Sequence, residues 1–586
     1  MLPFKTLLLF VVIFITPAYG GGVLKENKKL WLLLLHFREG ESAIDDPSFF
    51  LHPKGKYNPE AELEETLNRL KRDPTLRCRF PARAFFIERF LGVKLPKENC
   101  PELERFMDEI RGNRVSIVFA DSHINSPASM FGHTFIRVFD KEDRVDSYIV
   151  NYAAHVDDSN AVLYAFKGLF GFYKGYFTVA PFYLKIKEYS GIEGRDLWEY
   201  ELEGKREYIY LLKLHLWELK DIYSYYYFFH ENCSTEVFYL LNFLNPEDRF
   251  ELKTPWTVPL DTVKLLIEKG YVKDIRFEPS LLTKLRAKEN LLSEEDIDTI
   301  KAWVQGEKEL PEGKSPLFYE FASDYVRFLY YGQGIDLKTY RRKFLQSLKL
   351  RSRSGLKRQS PTPSTSPPHN SHDSQRARLS LGFDGAVFTE LSYRPVYHDL
   401  LDIPEGYKNN AEIVFSELSL RYYKELNRTL INKWTIVKIS SLEPVLSFYR
   451  PLSWTVDFGI YRRLDSNGKV RGVLSLKSGG GYTVGSKSLS LFVIGGGGAF
   501  TNREGKLGGE VNLKAGILHQ GRTLSLLLTL TGGRLTGSLG DQWLSIMSAG
   551  MNVPISRSLS LRAEGFYESV GRAYRKEFSL STLVYF

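Results

Sequence analysis

The sequence predicts an exported α+β domain with helical flanks, joined to a C-terminal antiparallel transmembrane β-barrel of about twelve strands. Three observations carry this. Residues 1–20 have the make-up of an export leader. Residues 351–375 interrupt the chain with a basic Ser/Pro-rich stretch. Beyond them, apolar and polar residues alternate between short turn signals to the end.

In the leader, Lys5 precedes the apolar run Leu7 to Ile15, and Pro17-Ala18-Tyr19-Gly20 offers small residues at a cleavage site. This is the pattern of a signal peptide, and the run is too short for a spanning helix of about 20 residues. No cysteine follows the cleavage site, so the chain is not expected to be a lipoprotein itself. Export gives the 3 cysteines distinct meanings. Cys78 and Cys100 flank one compact segment and are expected to form a disulfide in an oxidising compartment, leaving Cys233 as the odd thiol. Pairing of Cys100 with Cys233 would remove that thiol. Net charge is +9 over 586 residues. Lys and Arg gather around 341–358, a pattern suited to anionic headgroups beside a membrane rather than to nucleic acid.

Taken in order, residues 21–112 read as a helical region. It holds an apolar helix from Leu24 to Phe37, a charged amphipathic one from Pro59 to Arg72, and two more over Ala82–Leu91 and Pro101–Arg111. Residues 113–250 read as the chemical core. Val115–Phe119 and Phe135–Phe139 are strands, a polar turn follows at 140–143, and Val145–Tyr152 returns as the paired strand. Tyr208–Leu214 is expected as a further strand and Trp217–Phe229 as a helix. Residues 251–350 are expected to be helical, including Tyr319–Tyr331. Residues 351–375, with almost no apolar side chains, are expected to be a disordered tether.

The barrel, 376–586, rests on alternating stretches such as Ala377-Leu379-Leu381-Phe383 and Leu489-Leu491-Val493, with polar tips at 465–468, 502–505 and 537–540. The last strand places Phe578, Leu580, Thr582, Val584 and Phe586 on one face. A terminal aromatic after such a strand resembles the signal read by the bacterial barrel-assembly machinery. A soluble β-sandwich is the competing reading. Gly479–Gly481 and Gly495–Gly498 lie inside strands, where they permit curvature or close approach rather than phosphate binding.

The chemistry centres on Asn232-Cys233-Ser234. Asn232 is a natural N-cap, which sets Cys233 in the first turn of a helix continuing through Val237, Leu240, Leu241 and Leu244. The positive end of that helix favours thiolate. The competing reading is a small buried hydrophobe. His133, at the start of a strand, is the expected base, with His230 a local rival; His215 is expected to pack. Asn151 is the first choice for the group that orients the imidazole and His155 the second, while Ser129 and Asn232 are candidates for lining the site or an oxyanion hole. Neither HExxH nor paired CxxC occurs, so no metal or cofactor is expected. Chain order, histidine before cysteine, reverses that of papain and suits a circular permutation.

Six segments together resemble the Lnb periplasmic domain family: Cys78–Arg83, Ser129–Phe135, Tyr152–Ala154, Arg195–Tyr200, Trp217–Leu219 and Asn232–Ser234. The resemblance spans roughly residues 75–245. It implies a permuted papain-like (NlpC-like) core and the chemistry of lipoprotein N-acyltransferases, with His133 as base and Cys233 as nucleophile. This chain departs from the family in carrying a tether and barrel where inner-membrane helices are expected. The expected activity is thiol acyl transfer at the periplasmic face of the outer membrane, from phospholipid to an amine such as a lipoprotein N-terminus. Cleavage of cell-wall peptides by the same dyad is the alternative. A non-catalytic assembly or transport domain on a barrel is the other.

Overall fold

A computed structural model describes residues 21–124, 130–140, 147–156, 161–249, 256–355, 361, 363 and 365–586; the leader at 1–20 lies outside them. Helices α1 (Gly21–Leu34), α2 (Pro59–Arg72), α3 (Pro81–Phe90) and α4 (Pro101–Glu109) form the N-terminal layer. Asn58 caps α2 by accepting from the Ala61 N–H, and Pro59 occupies the first turn, where its missing N–H costs nothing. Cys78 and Cys100 are disulfide-bonded, with their Cα atoms 5.3 Å apart.

The core sheet has strands β1 (Arg114–Ala120), β2 (His133–Phe139), β3 (Tyr148–Ala154), β4 (Tyr173–Pro181), β5 (Leu197–Leu202), β6 (Tyr223–Tyr226) and β7 (Val272–Glu278), with helices α5 (Ala161–Leu169), α6 (Arg206–Glu218), α7 (Cys233–Leu241) and α8 (Pro259–Glu268). The order across it is β6-β4-β3-β2-β1-β5-β7, antiparallel throughout. Helix α7 packs on β2 and β3, so the strand bearing His133 and the helix opened by Cys233 share one interface. Two expectations are corrected. The run expected as a strand at 208–214 is helical, and the helix expected over 217–229 is replaced by the turn and strand β6. Ile209, Leu212 and Leu216 recur at helical spacing, but neighbouring apolar residues at 211 and 214 obscure that period in the sequence. Residues 251–350 also are not wholly helical, because β7 completes the sheet.

Helices α9 (Leu281–Glu289), α10 (Glu294–Gln305), α11 (Pro316–Tyr331) and α12 (Leu337–Arg353) form a second core. The barrel then closes with twelve antiparallel strands, β8 (Arg376–Phe383), β9 (Val387–Arg394), β10 (Ala411–Tyr423), β11 (Arg428–Ser441), β12 (Ser453–Leu464), β13 (Val470–Gly485), β14 (Leu489–Asn502), β15 (Leu507–Gln520), β16 (Ser525–Gly537), β17 (Trp543–Ser556), β18 (Leu559–Val570) and β19 (Ala573–Tyr585). Strand β19 pairs with β8 from Arg376↔Tyr585 to Phe383↔Phe578, which leaves no open edge. Leu379, Leu381, Leu491, Val493 and Leu580 face outward. Gly479 and Gly496 face each other across β13 and β14, and a Cβ at Gly496 would stand 2.6 Å from the Ser478 carbonyl oxygen, so the pair serves close approach.

The expectation of a disordered tether over 351–375 is corrected only at its described residues, which pack. Residues 351–353 finish α12, and His372 and Ser374 are buried. Lys264 Nζ donates to the His372 carbonyl at 2.6 Å, and Ser374 Oγ to Asp261 at 2.6 Å. Residues 369–375 hold no apolar side chain but are held by polar partners supplied by α8. Further contacts seal the junction: Arg286 with Glu443 at 2.8 Å, Phe448 among Phe321, Tyr325 and Phe328, and Phe229 against Phe415 at 4.7 Å.

The segment between β9 and β10 turns into the barrel mouth on this side. Asp402 is gripped by Arg376, Arg394 and Arg562, at 3.0, 2.6 and 2.8 Å, and by the Tyr585 hydroxyl at 2.7 Å. Asp399 bonds the same three arginines. Each aspartate is thereby neutralised where an unpaired charge would be strongly destabilising.

Candidate active site

Asn232 has extended backbone, and its side-chain oxygen accepts from the N–H groups of Ser234 and Thr235, at 2.9 and 3.1 Å. Its Nδ2 donates to the Phe228 and Thr257 carbonyls at 3.1 and 2.9 Å. The carboxamide is fully engaged in holding the turn that places Cys233, which leaves no Asn232 side-chain N–H to line an oxyanion hole. Cys233 follows as the first residue of α7, free of any disulfide and 4% exposed.

His133 opens β2 directly opposite. Its Nε2 lies 2.6 Å from Asn151 Oδ1 on the neighbouring strand β3. With that oxygen as acceptor, Nε2 carries the proton and Nδ1 is left for the thiol. Burial pushes the Cys233 thiol up, but His133 opposes it by charge and hydrogen bond, helped by the Thr134 N–H and the Ser234 hydroxyl. The thiol is pulled down to about 7. Burial conversely favours neutral His133, and its contacts with Cys233 and Asn151 outweigh that, raising the imidazole above its ordinary value. Each partner therefore stabilises the other's charge, the arrangement that makes a nucleophile near neutral pH.

The structure brings together three of the expected residues, Cys233, His133 and Asn151. Ser129 lies outside the described residues. His155 is exposed at the end of β3, and the side chains in contact with His133 are Asn151, Cys233, Phe135 and Tyr189 instead. The rival His230 is exposed and stacks on Tyr227 at 4.3 Å. His215 packs as expected, its Nε2 3.0 Å from that of the buried His36.

Sequence reasoning missed three contributors. Thr134 supplies its N–H to the thiol, and its hydroxyl lies 3.1 Å from that of Ser234. The Tyr226 hydroxyl accepts from the Cys233 N–H at 3.4 Å. Arg195 donates to the Ala120 and Asp121 carbonyls, at 2.9 and 2.6 Å, while its guanidinium covers the ring of Tyr189, which flanks His133. The alternation of β2 and β3 places residues 133 and 151 on a buried face, but no local pattern announces Tyr226, whose strand was read as helix.

A large cavity of about 740 Å³ separates the domain from the barrel turns, among Asp121, Arg195, Lys408, Glu443 and Lys487. Neither Cys233 nor His133 lines it. The cluster nearest to a metal site is buried His372, His398 and Asp402. Its hydrogen bonds close in part, since His398 Nε2 is buried without a hydrogen-bond partner among the described residues. His372 Nδ1 donates to the Asp373 carbonyl at 2.7 Å, its Nε2 then accepts from His398 Nδ1 at 3.1 Å, and the Asp402 oxygens are taken by arginines.

The comparisons agree with this layout. Residues 102–269 match the Lnb N-terminal periplasmic domain. The residues on either side match two domains of unknown function, DUF7843 over 24–90 and DUF7840 over 365–585. None of the curated proteins matches the chain. Among solved structures, the chain is similar to a loop-deleted OmpT of Vibrio cholerae (9% identity, 36% of this chain and 97% of that one, TM-score 0.20). It is also similar to the KdgM porin (11%, 36% and 99%, 0.22) and to an outer membrane channel from Pseudomonas putida F1 (10%, 37% and 96%, 0.24). No helix among the described residues is long and apolar enough to cross a membrane. The closed barrel with its apolar outer face, bearing at one mouth the domain that matches the Lnb periplasmic family, places the protein in the outer membrane with that domain in the periplasm.

Proposed function

We propose that the protein is an outer-membrane thiol acyltransferase. The observation that carries this reading is the buried Cys233–His133–Asn151 array at the N-terminus of α7. The Cys233 thiolate attacks the carbonyl carbon of a phospholipid ester. The ester C–O bond breaks, the imidazolium of His133 gives its proton to the departing lysophospholipid alkoxide, and a thioester remains. An amine, such as a lipoprotein N-terminus, then attacks the thioester and loses its proton to His133, and the thiolate leaves as the amide forms. Splitting the transfer lowers each barrier, and Asn151 keeps the imidazole in one tautomer throughout. The Cys233 N–H, bonded among the described residues to the Tyr226 hydroxyl at a long 3.4 Å, is available to the oxyanion, and that hydroxyl has a proton to donate as well.

The test is incubation of the detergent-solubilised protein with phospholipid bearing a labelled acyl chain. Label retained by the wild type, released by hydroxylamine and absent from Cys233→Ala and His133→Ala, is the expected result. A Cys233 that iodoacetamide alkylates but that takes no label would redirect the reading to cell-wall peptides. A Cys233 inert to both reagents would leave the domain without acyl chemistry.

A further inference from the structure

Helix α5 and the turn after it carry an apolar patch that the fold leaves uncovered. Phe166, Phe170 and Phe172 are 52%, 60% and 62% exposed, and Leu163 and Leu169 lie beside them. The Phe166 ring is 4.7 Å from Phe170 and stacks on Phe172 at 6.1 Å, so the patch is contiguous. A soluble surface rarely leaves such a cluster bare without a use for it.

Two observations identify the occupant. One is charge: from Ala161 to Lys187 the sequence has 4 lysines and no Asp or Glu. Lys167 and Lys174 lie over the rings of Tyr173 and Tyr223, holding their ammonium groups beside aromatic surface in the manner of residues at a lipid interface. The other is continuity with the barrel. A Cβ on Gly168 of α5 would stand 2.1 Å from the Phe228 ring, so helix and ring are pressed together. The adjoining Phe229 lies against Phe415 on β10, the strand whose Leu420 and Tyr422 face outward. An apolar path thus runs from the patch to the wall that faces lipid. On the inner side Tyr164, also on α5, packs 5.1 Å from Phe228, and Phe228 lies 6.3 Å from Tyr226, whose hydroxyl meets the Cys233 N–H.

We propose that the segment Leu163–Phe172 inserts into the periplasmic leaflet of the outer membrane beside the barrel, holding the Lnb domain against lipid. In naming a bilayer lipid, entering beside α5, as the acyl donor, the inference rests on the acyl-transfer reading; the membrane contact itself does not.

The experiment uses the full chain in nanodiscs of phosphatidylethanolamine and phosphatidylglycerol. Phe170→Cys in the Cys233→Ala background carries a polarity-sensitive fluorophore, with Glu104→Cys on α4 as the control position. Blue-shifted emission at 170, quenched about twofold or more by lipids with a nitroxide on the acyl chain and unchanged at 104, is expected for a group within the acyl region. Blue-shifted emission that these lipids leave unquenched, together with a dimeric mass, would assign the patch to a second copy and overturn the proposal. Water-like emission at 170 would overturn it as well. With Cys233 intact, Phe166→Glu combined with Phe170→Glu should reduce acylation from bilayer phospholipid about tenfold and spare acylation from a soluble short-chain ester. Equal loss with both donors would mean damage to the site and defeat the route claimed here. If neither donor labels the wild type, the acyl-transfer reading fails while the fluorescence result still decides the membrane contact.

Discussion

At the scale of residues, the site depends on mutual charge stabilisation in a dry setting. Burial alone would hold Cys233 protonated and His133 neutral, and their pairing reverses both tendencies. The consequence is a pH dependence of definite sign. Alkylation of wild-type Cys233 by iodoacetamide should rise with pH through a midpoint near 7. In His133→Ala only the Thr134 N–H and the Ser234 hydroxyl still work against burial, so the midpoint should move upward toward that of a free cysteine, about 8.5, or past it. An unchanged midpoint would remove His133 from the dyad. Of the three other expected candidates, Ser129 lies outside the described residues and the remaining two met different fates. Asn232 spends its amide on the helix cap, and His155 sits outside the contact shell of His133.

At the scale of elements, the segment Cys78–Arg83 has a structural explanation. Arg83, fully buried on α3, ties three helices. Its NH1 meets Glu62 of α2 at 2.6 Å, its N–H donates to Glu218 of α6 at 2.9 Å, and NH2 reaches the Phe49 carbonyl at 2.7 Å. Trp217 of α6 donates to the Cys78 carbonyl at 2.7 Å, bringing the disulfide segment onto the same helix. Arg83→Ala leaves Glu62 and Glu218 without their cation and should cost about 3–5 kcal/mol of domain stability. Thermal unfolding should show the loss, with the pH midpoint of Cys233 alkylation unmoved below the transition. A variant with wild-type unfolding behaviour would show that these carboxylates find other partners. The same logic fixes α7, whose Glu236 is buried between Arg38 and His36.

At the scale of the molecule, charged side chains bridge much of the barrel interior, around a cavity of about 320 Å³ lined by Arg378, Glu390, Leu401 and Arg421. Beyond the Asp399–Asp402 knot, Arg378 and Arg421 share Glu390 on the strand between them and reach Glu564 and Glu577 further round the wall, while Arg463 bridges Glu510 and the more distant Glu568. Leu401 reaches the wall at Gly550, where an added Cβ would stand 2.5 Å from Cδ1. Such a lumen should pass no steady ionic current in a planar bilayer. Asp399→Ala with Asp402→Ala frees three arginines from their partners and should give fluctuating conductance. Steady porin-like current from the wild type would contradict this picture of the barrel as an anchor.

Much of this was legible in the sequence because it is periodic or local. Alternation gave the strands of the barrel, since side chains on a pleated ladder must face lipid and lumen in turn. Asn232 followed by an apolar helix set the place of Cys233, because a cap bond is made within three residues. Cysteine count and compartment singled out Cys78 and Cys100 as a pair. What only the tertiary structure decided is what depends on residues far apart in the chain. The 2.6 Å contact of His133 with Asn151 needs two strands in register, and the Tyr226 contact needs an edge strand where apolar content alone suggested a helix. The ordering of residues 368–375 needs α8, more than a hundred residues earlier, to supply Lys264 and Asp261 as partners. A stretch without apolar residues reads as disordered until the polar groups that satisfy it are in place, and only the folded chain brings them there.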